Sequence, residues 1–153
     1  MSTTQKRAWL LAGALSGAVL LLDQATKAIV ESRLVPGEQV ELVGPIGLTL
    51  AHNEGVAFGL AGGSALPVIA FAVLALAFVG FLLARNPSVP GMWVAVGLVA
   101  GGALGNLLDR LRAGEVTDYI EINYPWPPFN LADVAITVGV AVFALIFLRE
   151  ERR

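Results

Sequence analysis

The sequence predicts an α-helical membrane protein: four transmembrane helices, with a small extracytoplasmic β-sheet region between helices 1 and 2. Three observations carry that expectation. The chain is 56% hydrophobic and only 14% charged, with a mean hydropathy of +0.74, whereas a soluble domain is about 45–50% apolar and about 25% charged. Four runs, about 8–30, 64–85, 92–112 and 130–148, approach the roughly 20 apolar residues that a spanning helix needs. The segment 31–63 between the first two is instead broken by Pro36, Gly37, Gly44, Pro45 and Gly47. The 153 residues are read as one integral-membrane domain, 1–153.

Composition also removes several chemistries. The net charge of −2 gives no hint of nucleic-acid binding. Without cysteine there is no disulfide framework, thiolate metal site or thiol nucleophile. The single histidine, His52, makes an ordinary zinc site unexpected, because such sites recruit several His or Cys ligands. No metal and no cofactor are expected. Carboxylates, hydroxyls and amides remain.

The first run follows Lys6 and Arg7 and has the outline of a signal peptide. It continues past Asp23 and Lys27 to Val30 without a small-residue cleavage site, so it is read as a retained span. Gly13 and Gly17 lie on one helical face, and Asp23 and Lys27 form an i, i+4 pair of opposite charge, acid first. In the outer segment, 39–43 and 47–51 mix β-branched and apolar residues between turn signals and are expected as short strands. His52-Asn53-Glu54-Gly55-Val56-Ala57-Phe58 follows. There Asn53 offers donors and an acceptor for a substrate backbone, and Gly55 permits close approach. The second run ends at a tight connection over 86–91 with Pro87 and Pro90, which stops one helix and starts the next. The third run places Gly97, Gly101 and Gly105 at intervals of four, a row on which another helix can seat. That row ends in Asp109, flanked by Asn106 and Arg110. After Gly114, Val116–Ile120 reads as an extended stretch around Asp118. Trp126, Pro127 and Pro128 fit an interfacial anchor. Asn130 is a good N-cap for the fourth helix, and Asp133, three residues on, can share its face.

Basic residues orient the chain. With the N-terminus cytoplasmic, that side holds Lys6, Arg7, Arg85, Arg149, Arg152 and Arg153, and the other holds Lys27, Arg33, Arg110 and Arg112. Both termini are therefore expected in the cytoplasm. Asp118 and Asp133 then lie near the outer face.

Ionisable groups at a membrane boundary are expensive and need a reason. Two carboxylates that share one proton can hydrolyse a peptide bond: one takes a proton from water and the other donates to the carbonyl oxygen. Asp118 and Asp133 form one such pair, and Asp109 is a rival partner for Asp133. With Arg110 adjacent to hold it ionised, Asp109 reads more as an organiser. Two other readings compete. A proton-coupled carrier could use Asp23, Asp109 and Asp133 as a relay, but carriers bind near the midplane and these acids gather at one face. A non-catalytic assembly protein could use the cluster only to hold helices together.

Taken in order, these motifs resemble the lipoprotein signal peptidase family, signal peptidase II. The resemblance covers nearly the whole chain: Asp23-Gln24-Ala25-Thr26-Lys27, Asn53-Glu54-Gly55-Val56-Ala57-Phe58, Gly101-Gly102-Ala103-Leu104-Gly105-Asn106-Leu107-Leu108-Asp109-Arg110, Val116-Thr117-Asp118-Tyr119 and Phe129-Asn130-Leu131-Ala132-Asp133. It implies an aspartyl endopeptidase of the bacterial inner membrane, with its active site near the periplasmic face. Such an enzyme cuts prolipoproteins just before a diacylglyceryl-modified Cys. On this match Asp118 and Asp133 are the catalytic pair, Asn53, Gly55, Asn106, Asp109, Arg110 and Asn130 support them, and Asp23 and Lys27 organise the site. The family's small sheet maps to roughly 31–58. The implied partners are the lipidated prolipoprotein, membrane lipids and the cyclic peptide inhibitor globomycin, with the enzyme taken as a monomer. Thr117 and Tyr119 depart from the usual Val and Phe, and the Tyr119 hydroxyl is expected to add a hydrogen bond to the site.

Overall fold

The structure, a computed structural model, describes residues 1–55, 66–122 and 126–151. Val56, Ala57 and Phe58 of the second motif, and the first two residues of the expected second span, lie outside the described residues.

Among the described residues, four helices are long and apolar enough to cross a membrane: α1 (Thr3–Glu31), α2 (Leu66–Arg85), α3 (Met92–Ala113) and α4 (Leu131–Glu150). Each expected span is found, with ends displaced by a few residues. Their termini follow the local chemistry. The Ser2 side chain accepts from the Gln5 N–H and caps α1. Gly91 and Gly114, at φ 86° and 83°, supply the left-handed turns that start and stop α3.

α3 is the hub and packs against α1, α2 and α4. Small residues make this approach possible where lipid offers no hydrophobic drive between helices. Gly97 and Gly101 receive Leu15 and Val19 of α1, while Gly102 meets the Ala132 carbonyl and Ile136 of α4. Gly139 of α4 returns the contact to Val99 and Ala95 of α3. Gly13 and Gly17 of α1, by contrast, have nothing near the position of an added Cβ. The glycine row on α1 therefore does not seat a helix, although that on α3 does. α2 leans mainly on α3 and exposes Phe71, Leu74, Phe78 and Phe81, as suits a lipid-facing span.

This asymmetry gives a stability prediction. An alanine Cβ at Gly101 would lie 2.7 Å from Val19 Cβ and 2.8 Å from the Ser16 carbonyl oxygen. Neither can yield without moving the helices apart, so Gly101→Ala should cost about 1–3 kcal/mol. Gly13→Ala should leave the thermal midpoint of detergent-solubilised protein unchanged or raise it. Equal behaviour of the two variants would refute this packing.

At one end of the bundle lies a three-stranded antiparallel sheet, β1 (Gln39–Val43), β2 (Ile46–Asn53) and β3 (Val116–Ile122), in the order β1-β2-β3. The first two strands fall in the segment between α1 and α2. The third comes from the α3–α4 link, so the sheet ties two links together. Its register sets Ala51 opposite Asp118 and Asn53 opposite Val116. A small core of Val30, Leu50 and Tyr119 fixes the sheet to the end of α1, with Leu34 and Leu131 packed against it.

Candidate functional site

The polar cluster forms where β2 and β3 meet the ends of α1, α3 and α4. Its centre is Asn130, fully buried at the N-terminus of α4. The Asn130 side-chain oxygen accepts from the Asp133 N–H at 3.0 Å, and Asp133 Oδ2 accepts from the Asn130 N–H at 3.1 Å. This reciprocal capping box fixes the Asp133 carboxylate against the helix end. The Asn130 Nδ2 donates to Asp118 Oδ1 at 2.6 Å. One residue thus holds both acids that the sequence pairs, although fifteen positions separate them along the chain.

Each acid has a second amide donor. Asn53 Nδ2 donates to Asp118 Oδ2 at 3.0 Å, and Asn106 Nδ2 donates to Asp133 Oδ1 at 2.8 Å. Asn53 is itself oriented by Gly55, whose N–H donates to Asn53 Oδ1 at 2.9 Å across a turn at φ 76°. The left-handed glycine makes that turn and points the Asn53 amide at Asp118. Gly55 therefore acts here through Asn53, and the Asn53 amide is engaged with a carboxylate rather than left open.

Burial is the largest influence on Asp118, which is 3% exposed. It pushes the carboxyl pKa up to about 6, and the nearby Asp133 charge adds to the rise. The hydrogen bonds from Asn53 and Asn130, and the Lys27 charge, oppose it. Asp133 sits in the first turn of α4, at the helix's positive end.

Beneath the pair lies a buried ion cluster. Lys27 Nζ contacts Asp23 Oδ2 at 2.8 Å and Asp109 Oδ2 at 2.6 Å, and donates to Asn106 Oδ1 at 3.0 Å. Asp23 Oδ1 accepts from the Ala132 N–H, and Gln24 donates to Asp109 Oδ1 at 2.7 Å. The first motif thus organises the third and the last from below.

Two expectations are corrected here. Asp109 is paired with Lys27 of α1, not held by its neighbour Arg110. The Arg110 guanidinium donates to the Asn106 carbonyl and interacts through its charge with Asp133 and Asp118 as well as Asp109. The Tyr119 hydroxyl does not reach the acid pair; it donates to Thr26 Oγ1 of α1 at 2.7 Å. Among the described residues no hydrogen bond joins Asp109 to Asp133.

Asp118, Asp133 and Asn53 line a cavity of about 450 Å³ together with Trp126, Pro128, Val134 and Val138. The lining grades from carboxylates at the sheet to hydrocarbon along α4. Trp126, Pro127 and Pro128 form one wall of it, a role that reading them as an anchor missed. A second opening of about 400 Å³ reaches Asp118 past His52, Asn53 and Glu54. The arrangement offers two carboxyl groups of unequal surroundings, beside space for an extended peptide and apolar chains.

Known proteins resemble this chain in sequence and in fold. The sequence matches the family described as Signal peptidase (SPase) II over residues 15–149. It is 44% identical over 135 residues to a lipoprotein signal peptidase of Pelotomaculum thermopropionicum, covering 86% of this chain and 88% of that one. It is 37% identical over 139 residues to a lipoprotein signal peptidase of Symbiobacterium thermophilum, covering 88% and 91%. Among solved structures, one described as a bacterial membrane enzyme determined by the in meso method at 2.3 Å resolution superposes with a TM-score of 0.83. It shares 29% identity over 92% of this chain and 88% of that one.

Proposed function

The chain belongs to the lipoprotein signal peptidase family, signal peptidase II, and from that premise we propose an aspartyl endopeptidase mechanism carried by Asp118 and Asp133. The substrate is a diacylglyceryl-modified prolipoprotein, cut just before its lipidated Cys. The observation that supports this most is the shared anchorage of both acids on Asn130 at the polar end of one cavity.

Asp133, held by two N–H donors at a helix N-terminus, is the ionised partner. Buried Asp118 is the proton carrier. Asp133 takes a proton from water as the water oxygen attacks the scissile carbonyl carbon, and Asp118 gives its proton to the carbonyl oxygen. In the resulting tetrahedral diol, Asp133 returns a proton to the amide nitrogen while Asp118 recovers one from a hydroxyl. The C–N bond breaks. The products are a signal peptide ending in a carboxyl group and a new amine on the lipidated Cys, and the acids regain their starting states. Asn53, Asn106 and Asn130 orient the carboxylates, Arg110 supplies positive charge beside the pair, and Asp23, Lys27 and Asp109 fix the helices beneath it.

The apolar wall along α4 suits a substrate that arrives within the bilayer, its signal helix beside the spans and its acyl chains in hydrocarbon. The charge distribution supports an inner-membrane protein with cytoplasmic termini and the acid pair near the periplasmic face. We take 1–153 as one peptidase domain, acting as a monomer and inhibited by globomycin.

The test is cleavage of a purified diacylglyceryl prolipoprotein by the purified protein in detergent or vesicles. Absence of the cleaved product under all conditions would overturn the proposal, and proton-coupled solute uptake by sealed vesicles would favour a carrier. Chelators should leave turnover unchanged. Inactivation by chelation with recovery on adding a metal would refute the two-carboxylate scheme.

The pH dependence follows from Asp118. Its carboxyl is raised to about 6, so the proton needed for catalysis is present below that pH and lost above it. The alkaline limb of kcat/KM should show an apparent pKa near 6. Bound substrate excludes water and disfavours the charge further, so the same limb in kcat should lie higher. The values belong to the coupled pair. A flat profile from pH 4 to 9 would exclude the shared-proton scheme.

A further inference from the structure

We propose that Thr117 and Tyr119 are positioning residues, whose hydroxyls tie β3 to α1 on either side of Asp118 and so set where its carboxylate stands. The inference rests on the reading that Asp118 is catalytic.

Successive side chains of a strand point to opposite faces. Asp118 faces Asn53, Asn130 and the cavity, so Thr117 and Tyr119 share the other face, which looks at α1. Both are buried, 6% exposed each. Thr117 Oγ1 donates to Glu31 Oε1 at 2.5 Å. The Tyr119 hydroxyl donates to Thr26 Oγ1 at 2.7 Å, and the Thr26 hydroxyl turns back to the Leu22 and Asp23 carbonyls of its own helix, each at 2.9 Å. Both ties therefore end on α1, one on the Glu31 carboxylate and one, through Thr26, on the helix backbone, while the Tyr119 hydroxyl also bonds the Leu131 backbone of α4.

In this chain the ties act where the strand has few other holds. The β2–β3 register shifts between Leu48 and Ala51, so the ladder is irregular immediately before the residue opposite Asp118. On its other edge β3 bonds the Phe129 backbone at Tyr119 and Ile120, beyond Asp118. Asn130 Nδ2 adds one bond to the Thr117 carbonyl at 3.3 Å. With the packing of Val30, Leu50 and Tyr119, the two hydroxyl bonds hold the strand in the remaining direction, towards α1. The carboxylate depends on that placement, because its two amide donors stand at 2.6 and 3.0 Å and weaken steeply with small shifts. The charged and titratable groups around Asp118 are Asp133 of α4, Arg110 of α3, Lys27 of α1, and His52 and Glu54 at the end of β2 and just beyond it. Deleting either hydroxyl removes none of these groups, but Thr117→Val leaves the Glu31 carboxylate without that donor.

Thr117→Val and Tyr119→Phe, singly and together, should be compared with wild type and Asp118→Asn on a synthetic diacylglyceryl peptide across pH. Each is expected to lower kcat up to about tenfold with KM unchanged, since misplacement of a reacting group acts on rate. Looser amide bonds favour the charged carboxylate less, so the alkaline limb should move to higher pH. Thr117→Ser, which keeps the hydroxyl, should restore wild-type kcat and profile. Wild-type kcat per folded molecule and an unmoved profile in both variants would overturn the proposal, even if the thermal midpoint fell. If Thr117→Val does not fold, Tyr119→Phe, which removes one oxygen, decides alone. Full turnover by Asp118→Asn would show instead that the catalytic reading had failed.

Discussion

Asp118→Asn and Asp133→Asn should each lower kcat by about 10²–10⁴-fold, the range that a positioned proton donor or acceptor supplies. The two losses should not multiply in the double variant, because the acids act on one proton as a unit. Their effects on folding should differ. Folding makes Asp118 hold its proton to higher pH, with its carboxyl raised to about 6. The sign follows directly. Between the ordinary carboxylate range and that value the folded protein binds the extra proton, so stability from this group is full at low pH and is lost as pH rises through about 6. An amide does not titrate, so Asp118→Asn carries no such loss. One donor-to-donor contact arises, and it can fall on Asn53, which is exposed and can turn towards water. Asp118→Asn should therefore remain folded at neutral pH. Asp133→Asn weakens the capping box and places an amide against the Asn106 donor, so it should cost about 0.5–2 kcal/mol more. Turnover of a lipidated prolipoprotein, measured beside thermal unfolding, separates these effects. Wild-type turnover in either variant would remove that acid from the pair and reopen the case for Asp109.

The spans were legible because hydropathy reports the lipid contact that makes a helix stable there. The extended nature of 116–120 was legible too. Its place beside β2 was not, since pairing Ala51 with Asp118 is a long-range event that no local pattern states. Spacing of four put Gly13 and Gly17 on one face of α1, as it put Gly97 and Gly101 on one face of α3. Spacing does not say whether a face meets lipid or protein, and only the second row meets protein. Adjacency misled at Asp109 and Arg110. Consecutive helical residues do not face each other, so Asp109 turns to Lys27 while Arg110 lies within charge reach of the acid pair. The same alternation, on a strand, sends Tyr119 away from Asp118. Gln24, Thr26 and Glu31 were missed because their partners lie 85 or more positions away. Their only sequence signal was position beside or within the first motif.

The buried ion cluster carries the largest expected effect on folding. Lys27 Nζ has three protons and three acceptors, Asp23, Asp109 and Asn106, and its side chain is 4% exposed. Asp23 is fully buried. Lys27→Met fills a similar volume but leaves two carboxylates without their cation, and removing one partner of a buried pair costs about 3–5 kcal/mol. Asp109→Asn should cost less, because Lys27 keeps Asp23 and the cluster then balances one charge with one. It should nonetheless lower the yield of folded protein more than Asp118→Asn does, and weaken turnover through Asn106, which bonds both Lys27 and Asp133. Neutralising both acids should rescue the lysine variant: Lys27→Met with Asp23→Asn and Asp109→Asn is expected to be more stable than Lys27→Met alone. Thermal unfolding in detergent reads all four proteins. If Lys27→Met unfolds with the wild type, or if the triple variant is the least stable of the set, then charge pairing is not what holds α1 against α3 beneath the acids.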